Sequence, residues 1–396
     1  MNVARQIVAV VAMNLRSLPQ HLGASVVVVI GVAGVVGVLI CVLAMGVGFA
    51  RTVAGTGRSD RVIILASGAL TESMSSVPRE AVLNIIHVPG IEKDAGGRPI
   101  AAAEVLAQIQ RPRHGGVKRV NVAIRGVGIA EPLLRPEIHL ISGRMFNPGL
   151  QELIVGRSAE IEYGGLNMGD RVPFQNGSWL VVGIFDSAVG NIHDSEIMTD
   201  ADTLRSALKR SWFHSVTERL ERSDSFEQVK KSLTDDPSLH VEVHRESEYF
   251  AAQSRGLSTL LKFIGYFVGG VMGVGALFGA LNTLYAAVSS RAIEIATLRA
   301  IGFGAAAVTI SVLAEALTLA LAGGLLGAVV AWMFFNGHAV SMISGGQNQL
   351  AFSLFVTPSL IVVGIAWACL IGFVGGLFPA IRAARLPIAI ALRDAA

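Results

Sequence analysis

The sequence predicts a membrane protein with four transmembrane helices and a large α+β extracytoplasmic domain inserted between the first two. Composition is one reason. Of 396 residues, 52% are hydrophobic and only 15% charged, a balance that suits a membrane protein carrying a substantial water-soluble part. The placement of charge is another. Residues 22–50 lie in the charge-free interval between Arg16 and Arg51, and 263–290 in that between Lys262 and Arg291. Residues 305–335 contain only Glu315, and 357–380 contain no charge. A span needs about 20 apolar residues at about 1.5 Å rise each, so every one of these runs qualifies.

In chain order, residues 1–21 read as a short amphipathic helix on the inner surface, stopped near Pro19. The first span, 22–50, is longer than the apolar core of a cleavable signal peptide and reads as a retained anchor. Residues 51–255 follow, enough for one or two compact lobes. Within them 61–65, 101–110, 119–127, 152–155, 179–185 and 240–245 read as strands. Residues 78–86 read as a helix with Pro78 in its first turn, 204–209 as a second, and 226–233 as a third capped by Ser223 or Asp224. A helix over 246–261 runs into the second span (256–289) as a stiff stalk. The remaining pieces are a polar helix at 290–303, a third span at 304–335, a short outer loop at 336–356, a fourth span at 357–380 and a tail at 381–396.

Arginine sets the orientation. With a cytoplasmic N-terminus, the inner pieces hold Arg5, Arg16, Arg291, Arg299, Arg382, Arg385 and Arg393 against Glu294 and Asp394, while loop 336–356 has no Lys or Arg. This obeys the positive-inside rule and its inverse does not. Cys41 and Cys369 both lie in spans, so the outer domain folds without disulfides, and the thiols serve as small apolar packing residues.

The outer domain shows no catalytic signature: there is no Gly-x-Ser-x-Gly, no His-Glu-x-x-His and no Cys pair. His240, Glu242, His244 and Glu246 alternate along one strand face. They read as a solvated edge rather than a metal site, and His193, Asp194 and Glu196 as a polar loop. No nucleic-acid partner is expected.

The polar connector between the second and third spans is more informative. Arg291-Ala292-Ile293-Glu294-Ile295-Ala296-Thr297-Leu298-Arg299-Ala300-Ile301-Gly302 reads as a helix ended by Gly302 and Gly304, residues able to take the left-handed conformation. A helix at the mouth of two spans offers a rigid surface to something outside the membrane. Within the spans, glycines recur at four-residue spacing: Gly269 with Gly273, Gly275 with Gly279, Gly323 with Gly327, and Gly372 with Gly376. Such spacing permits close helix packing, within the protomer or across a dimer. Glu315 is the only carboxylate inside a span. It is expected to bond a neighbouring helix or the region of Arg291 and Arg299, a proton or substrate contact being the alternative.

Arg291-x-x-Glu294-Ile295-Ala296-x-Leu298-Arg299-Ala300-Ile301-Gly302, with Glu315 and Gly323/Gly327, resembles the permease domain shared by the MacB, LolC/LolE and FtsX families of ABC transporters. So does Gly376-x-x-Pro379-Ala380-x-x-Ala383-Ala384-Arg385-x-Pro387-x-x-x-Ala391-Leu392-Arg393, and Asn14-Leu15-Arg16-Ser17-Leu18 is similar to the start of the family's first span. Gly143-Arg144-x-Phe146, Gly169-Asp170-x-Val172 and Val182-Gly183 look like the family's periplasmic core domain. The resemblance implies a multi-pass protein of the bacterial inner membrane with both termini cytoplasmic. Helix 291–302 would couple to a cytoplasmic ATPase subunit through Arg291, Glu294, Ile295, Leu298, Arg299 and Gly302, the charged ends gripping a groove that Ile295 and Leu298 fill. A second permease copy or paralogue and, for export, a periplasmic adaptor protein would complete the assembly.

No Gly-x-x-x-x-Gly-Lys-Ser/Thr loop is present, so the chain is expected to be a non-catalytic subunit with no cofactor of its own, ATP and Mg being bound by the partner. The implied function is mechanotransmission for export or extraction of an amphipathic envelope substrate. Release of lipoproteins in the LolC/LolE manner and FtsX-like control of a cell-wall hydrolase are the alternatives.

Overall fold

Where the sequence carries no charge it forms long helices, and where charge and β-branched residues alternate it forms strands. The computed structural model describes residues 6–8, 10–13, 22–116, 119–175, 177–187, 191–344 and 348–385. Helix α1 (Leu22–Thr56) leads to β1 (Arg61–Ala66), β2 (Val77–Pro78), α2 (Arg79–Ile85) and the long pair β3 (Ala101–Pro112) and β4 (Arg119–Val127). Then come α3 (Glu131–Leu134), β5 (Ile138–Gly143), β6 (Glu152–Gly156), α4 (Arg157–Glu162), β7 (Arg171–Phe174) and β8 (Gly177–Ser187). β9 (Ile197–Asp200), α5 (Ala201–Ala207), β10 (Trp212–Phe213), β11 (Ser215–Arg219), α6 (Phe226–Thr234) and β12 (Val241–Arg245) complete this stretch. The chain continues through α7 (Glu246–Ser290), α8 (Ala292–Ala300), α9 (Ala305–Phe335), the hairpin β13 (Ala339–Ser344) and β14 (Asn348–Ser353), and α10 (Pro358–Ala384).

Four of the described helices, α1, α7, α9 and α10, are long and apolar enough to cross a membrane. Residues 1–47, 258–338 and 354–396 form one unit, which holds α9, α10 and most of α1 and α7, and 48–257 with 339–353 form another, the α+β unit, which includes the last turns of α1 and the first turns of α7. In the helical unit Val32, Val36, Leu39, Ile40 and Leu43 of α1 form a core with Ala280 of α7, Leu319 and Ala328 of α9, and Ala368 and Ile371 of α10. Small residues set the closest approach. An added Cβ at Gly372 or Gly376 would meet the methyl groups of Ala320 and Ala316, and one at Gly324 that of Ala368, so α9 and α10 pack nearly backbone to backbone.

The α+β unit is built on one mixed ten-stranded sheet in the order β12-β1-β11-β3-β4-β9-β6-β8-β5, with β7 also paired to β8. Pairs β4–β9 and β6–β8 are parallel, and the rest of the sheet is antiparallel. Period-two alternation divides its residues. Val62, Ile64, Val105, Ile124 and Val216 enter an apolar core with Ile85 of α2, Leu204 of α5, and Phe226 and Val229 of α6. The register sets Glu104 opposite Ser215 and Leu106 opposite Arg125, so these residues share the other face.

Several expectations change. The helix expected at 204–209 begins at Ala201, because the Asp200 side chain accepts from Thr203 N at 2.9 Å and caps it. Pro78 is the N-cap of α2 rather than a residue of its first turn. Ser223 and Asp224 fall in a 3₁₀ turn, and α6 starts after Ser225 without a side-chain cap. Loop 336–356 contains a hairpin grouped with the α+β unit. Glu246 is the first, buried residue of α7 and not part of the strand face. The N-terminal motif 14–18, with Arg5, and the tail beyond 385 lie outside the described residues.

Glu218 is an anomaly. It lies opposite Val62 and Ala101, is completely buried, and neither of its carboxylate oxygens has a hydrogen-bond partner among the described residues. Burial raises its carboxyl well above the ordinary range, so the neutral acid is the folded form. A raised value contributes stability below the ordinary carboxylate range that is lost as pH rises through the folded value. Glu218→Leu should therefore stabilise the domain at neutral pH by about 1–3 kcal/mol, more at pH 9 than at pH 6. Thermal unfolding of the full chain at the two pH values measures this, and an unchanged midpoint at both would refute it.

Candidate functional site

Local chemistry fixes both ends of α8. It is separated from α7 by Arg291 alone (φ −101°, ψ 14°). The Arg291 amide still donates to Ala287 O at 3.3 Å, and its carbonyl accepts from Ile295 N at 3.0 Å. At the other end Phe303 N donates to Leu298 O and Gly302 N to Arg299 O, each at 3.1 Å, with Gly302 at φ +105°. This is a Schellman closure, and its left-handed position strains any residue with a Cβ. Gly304, in contrast, is extended (φ −68°, ψ 150°) and caps α9, so it is not the second left-handed glycine expected.

Helical geometry then divides the expected contact residues. Arg291 and Ile295 point inward. Arg291 Nη1 lies 3.3 Å from Glu315 Oε2 on α9, with both side chains buried, so Glu315 bonds the arginine that the sequence suggested for it. Ile295 packs with Val288, Val308, Val312, Ala380 and Ala383. Leu298 and Arg299 are half-buried, while Glu294 and Gly302 are exposed. The outward stripe is completed by Ile293 (48% exposed), Thr297, Ala300 and Ile301 (72%), which sequence reasoning did not single out. Their spacing of about four residues was the available signal.

The glycine pairs also separate. Gly323 and Gly327 face Val32 and Ala33 of α1, Gly269 faces Leu39 of α1, and Gly273 faces Trp367 and Ile371 of α10. Trp367 Nε1 donates to Gly269 O at 3.3 Å, securing that contact. Only Gly275 and Gly279 are outward: a Cβ at either would meet nothing within 4 Å among the described residues.

The α+β unit holds a second concentration of chemistry. His193, expected in a polar loop, is fully buried, with Nδ1 2.7 Å from Glu196 Oε2. Arg125, in the middle of β4, donates to Glu196 (2.9 Å), Glu72 (3.0 Å) and Glu104 (2.5 Å). Burial tends to raise the Glu104 carboxyl, but the charges of Arg135 and then Arg125 outweigh it and hold it at about 2. Burial acts likewise on Glu196, and Arg125 and His193 hold it well below the usual range. Every donor nitrogen of Arg125 has a carboxylate partner, so its part of the cluster is a structural bond set, while the buried His193 Nε2 has no hydrogen-bond partner among the described residues. Glu242, from the strand face, accepts from Gly68 N and Ser67 Oγ.

Residues 25–236 match the MacB-like periplasmic core domain family, and 266–388 the FtsX-like permease C-terminal family. The chain is 26% identical over 301 residues to the macrolide export ATP-binding/permease protein MacB of Pasteurella multocida, covering 69% of this chain and 43% of that one. It is thus similar to less than half the length of that relative. It is 21% identical to the uncharacterized ABC transporter permease YknZ of Bacillus subtilis, covering 97% of this chain and 98% of YknZ. The crystal structure of the extracellular domain of YknZ from Gram-positive bacteria covers 46% of the chain at 15% identity and a TM-score of 0.36, too low to carry an argument.

Proposed function

This chain belongs to the MacB-like periplasmic core domain family and carries an FtsX-like permease region, and from that premise we propose that it is the permease subunit of an inner-membrane ABC transporter whose ATPase is a separate polypeptide. The observation that carries the reading is α8. Its inner side is locked to α9 through Arg291 and Glu315 and its outer side presents Ile293 and Ile301 to solvent. A helix held this way passes a push from a partner groove to the membrane helices instead of yielding. Both termini and α8 would lie in the cytoplasm, a placement that the arginine distribution supports. On this reading ATP and Mg are bound by the partner, a division supported by the match over 97% of this chain and 98% of YknZ, which is named as a permease.

ATP-driven closure of the ATPase subunits would move α7 and α9, and the α+β domain would move on the far side of the membrane. Force rather than a solute would cross the bilayer. The spans offer little polar lining for a pathway, because Glu315, their one carboxylate, is paired. Two copies or paralogues would meet through Gly275 and Gly279 of α7, and disulfide cross-linking of Gly279→Cys between copies tests that face. Export of an amphipathic envelope substrate, with a periplasmic adaptor, takes precedence over lipoprotein release and hydrolase control because the MacB relative is named for macrolide export. The test of the whole reading is co-purification. The native protein should bring down a nucleotide-binding subunit, and purification to homogeneity without one contradicts it.

A further inference from the structure

The buried ion pairs of the α+β unit form a closed ring, and what the ring encloses suggests its use. Glu246, the first residue of α7, accepts from Arg58 N at 3.0 Å and from Arg61 Nε at 2.6 Å through one oxygen. Arg61 in turn donates to the carbonyl of Thr56, the last residue of α1, at 3.3 Å. A single carboxylate thus pins the end of α1 to the start of α7. Its other oxygen stands 3.8 Å from Arg135, and Arg135 donates to Glu104 on β3 at 2.7 Å.

Glu104 pairs with Arg125 on β4, and Arg125 with Glu196. Glu196 closes the turn that begins at Asn191, and there Ile192 N donates to Thr56 Oγ1 at 2.9 Å. The two arms that leave Glu246 thus meet at Thr56. The same turn holds the hairpin, because Ala351 N donates to Ser195 Oγ at 3.1 Å.

An apolar core would supply comparable stability at less desolvation cost. What ionic hydrogen bonds add is direction: apolar contacts can slide, whereas charge-assisted bonds, bidentate between Arg125 and Glu196, fix register. We propose that the ring is a rigid joint that makes the tip of α1, the first turn of α7 and strands β3–β4 move as one body, with Arg61 and Glu246 as positioning residues. This rests on the permease reading and names the element through which movement of the two helices would enter the sheet.

The test uses the full chain in nanodiscs, with Cys41 and Cys369 replaced by Ala and spin labels at Glu248→Cys on α7 and Gln110→Cys on β3, both exposed. The unaltered ring should give one narrow interlabel distance, with or without ATP and the ATPase. Glu246→Gln, and the double variant Arg61→Met with Glu246→Met, should lose it and give a broad distribution. Amide exchange at Arg58 and Ser247, whose amides bond across this junction, should quicken about tenfold. Arg61 also pairs with Glu137 at 2.7 Å, so each variant is read well below its own measured melting transition, where a broadened distance is not a folding defect. Narrow distances in both variants overturn the joint. Absence of any ATPase partner would instead sink the permease reading, and the nucleotide-free distances would still judge the joint.

Discussion

Ile293→Asp with Ile301→Asp should abolish recovery of the ATPase subunit while leaving expression and the melting temperature of the membrane unit unchanged. Both side chains are exposed, so neither substitution disturbs the protomer. Burying an isoleucine in a partner groove contributes about 1.5–3 kcal/mol, and a carboxylate in its place adds a desolvation cost. Losing two such contacts should weaken association at least about 100-fold, since about 1.4 kcal/mol is tenfold. Ile295→Asp and Arg291→Glu should behave differently. The first puts charge among Val308, Val312 and Ala380. The second sets a carboxylate against Glu315, so both should damage the membrane unit itself. Wild-type recovery of the ATPase by the doubly substituted outer face would remove α8 from the coupling route.

Arg125→Met should unfold the α+β domain or bring it close to unfolding. The substitution removes a cation shared by three buried carboxylates, those of Glu72, Glu104 and Glu196, leaving Glu104 with Arg135 and Glu196 with His193. Breaking one buried pair costs about 3–5 kcal/mol, comparable with a domain's whole margin of about 5–15 kcal/mol. The sign of its pH dependence is specific. In the wild type Glu104 is held at about 2, so its contribution is fully present above the ordinary carboxylate range and lost as pH falls toward 2. Without Arg125, burial weighs more heavily on Glu104 and Glu196 and their carboxyls rise, so the variant is penalised most at high pH. The difference in melting temperature between variant and wild type should narrow as pH falls from 8 to 5, and Glu218 does not disturb that comparison because both proteins carry it. A constant difference, or a loss under about 1 kcal/mol, would mean that the carboxylates are held by other groups.

The sequence made some of this legible and hid the rest for physical reasons. The membrane helices are readable because lipid excludes charge: the first two runs are bounded by Arg or Lys at both ends, and the last two at one end, by Arg299 and Arg382. Strands β4 and β6 are readable because Val122, Ala123 and Ile124 in one and Leu153, Ile154 and Val155 in the other form buried apolar runs rich in β-branched residues. β11 is not: Ser215-Val216-Thr217-Glu218-Arg219 looks like surface, yet Glu218 is completely buried. β9 was hidden by its length of four residues. Helix α8 was legible as an element through its flanking charges and Gly302, but its facing was not. A run with isoleucine on opposite sides does not say which side meets the spans, and Glu315 decides it by holding Arg291. The ion-pair ring was invisible because its partners are remote in sequence, 71 residues apart for Arg125 and Glu196 and 185 for Arg61 and Glu246. The one available hint was an isolated charge inside an otherwise apolar strand, as at Glu104 and Arg125.

The central claim is that force enters at α8 on one side of the membrane and leaves through the α+β domain on the other. Single cysteines at Ile301 (72% exposed) and Leu150 (51% exposed), in a chain lacking Cys41 and Cys369, test it with a membrane-impermeant thiol reagent on intact spheroplasts. Leu150→Cys should label at once and Ile301→Cys only after lysis. Labelling of both from the same side would contradict the account.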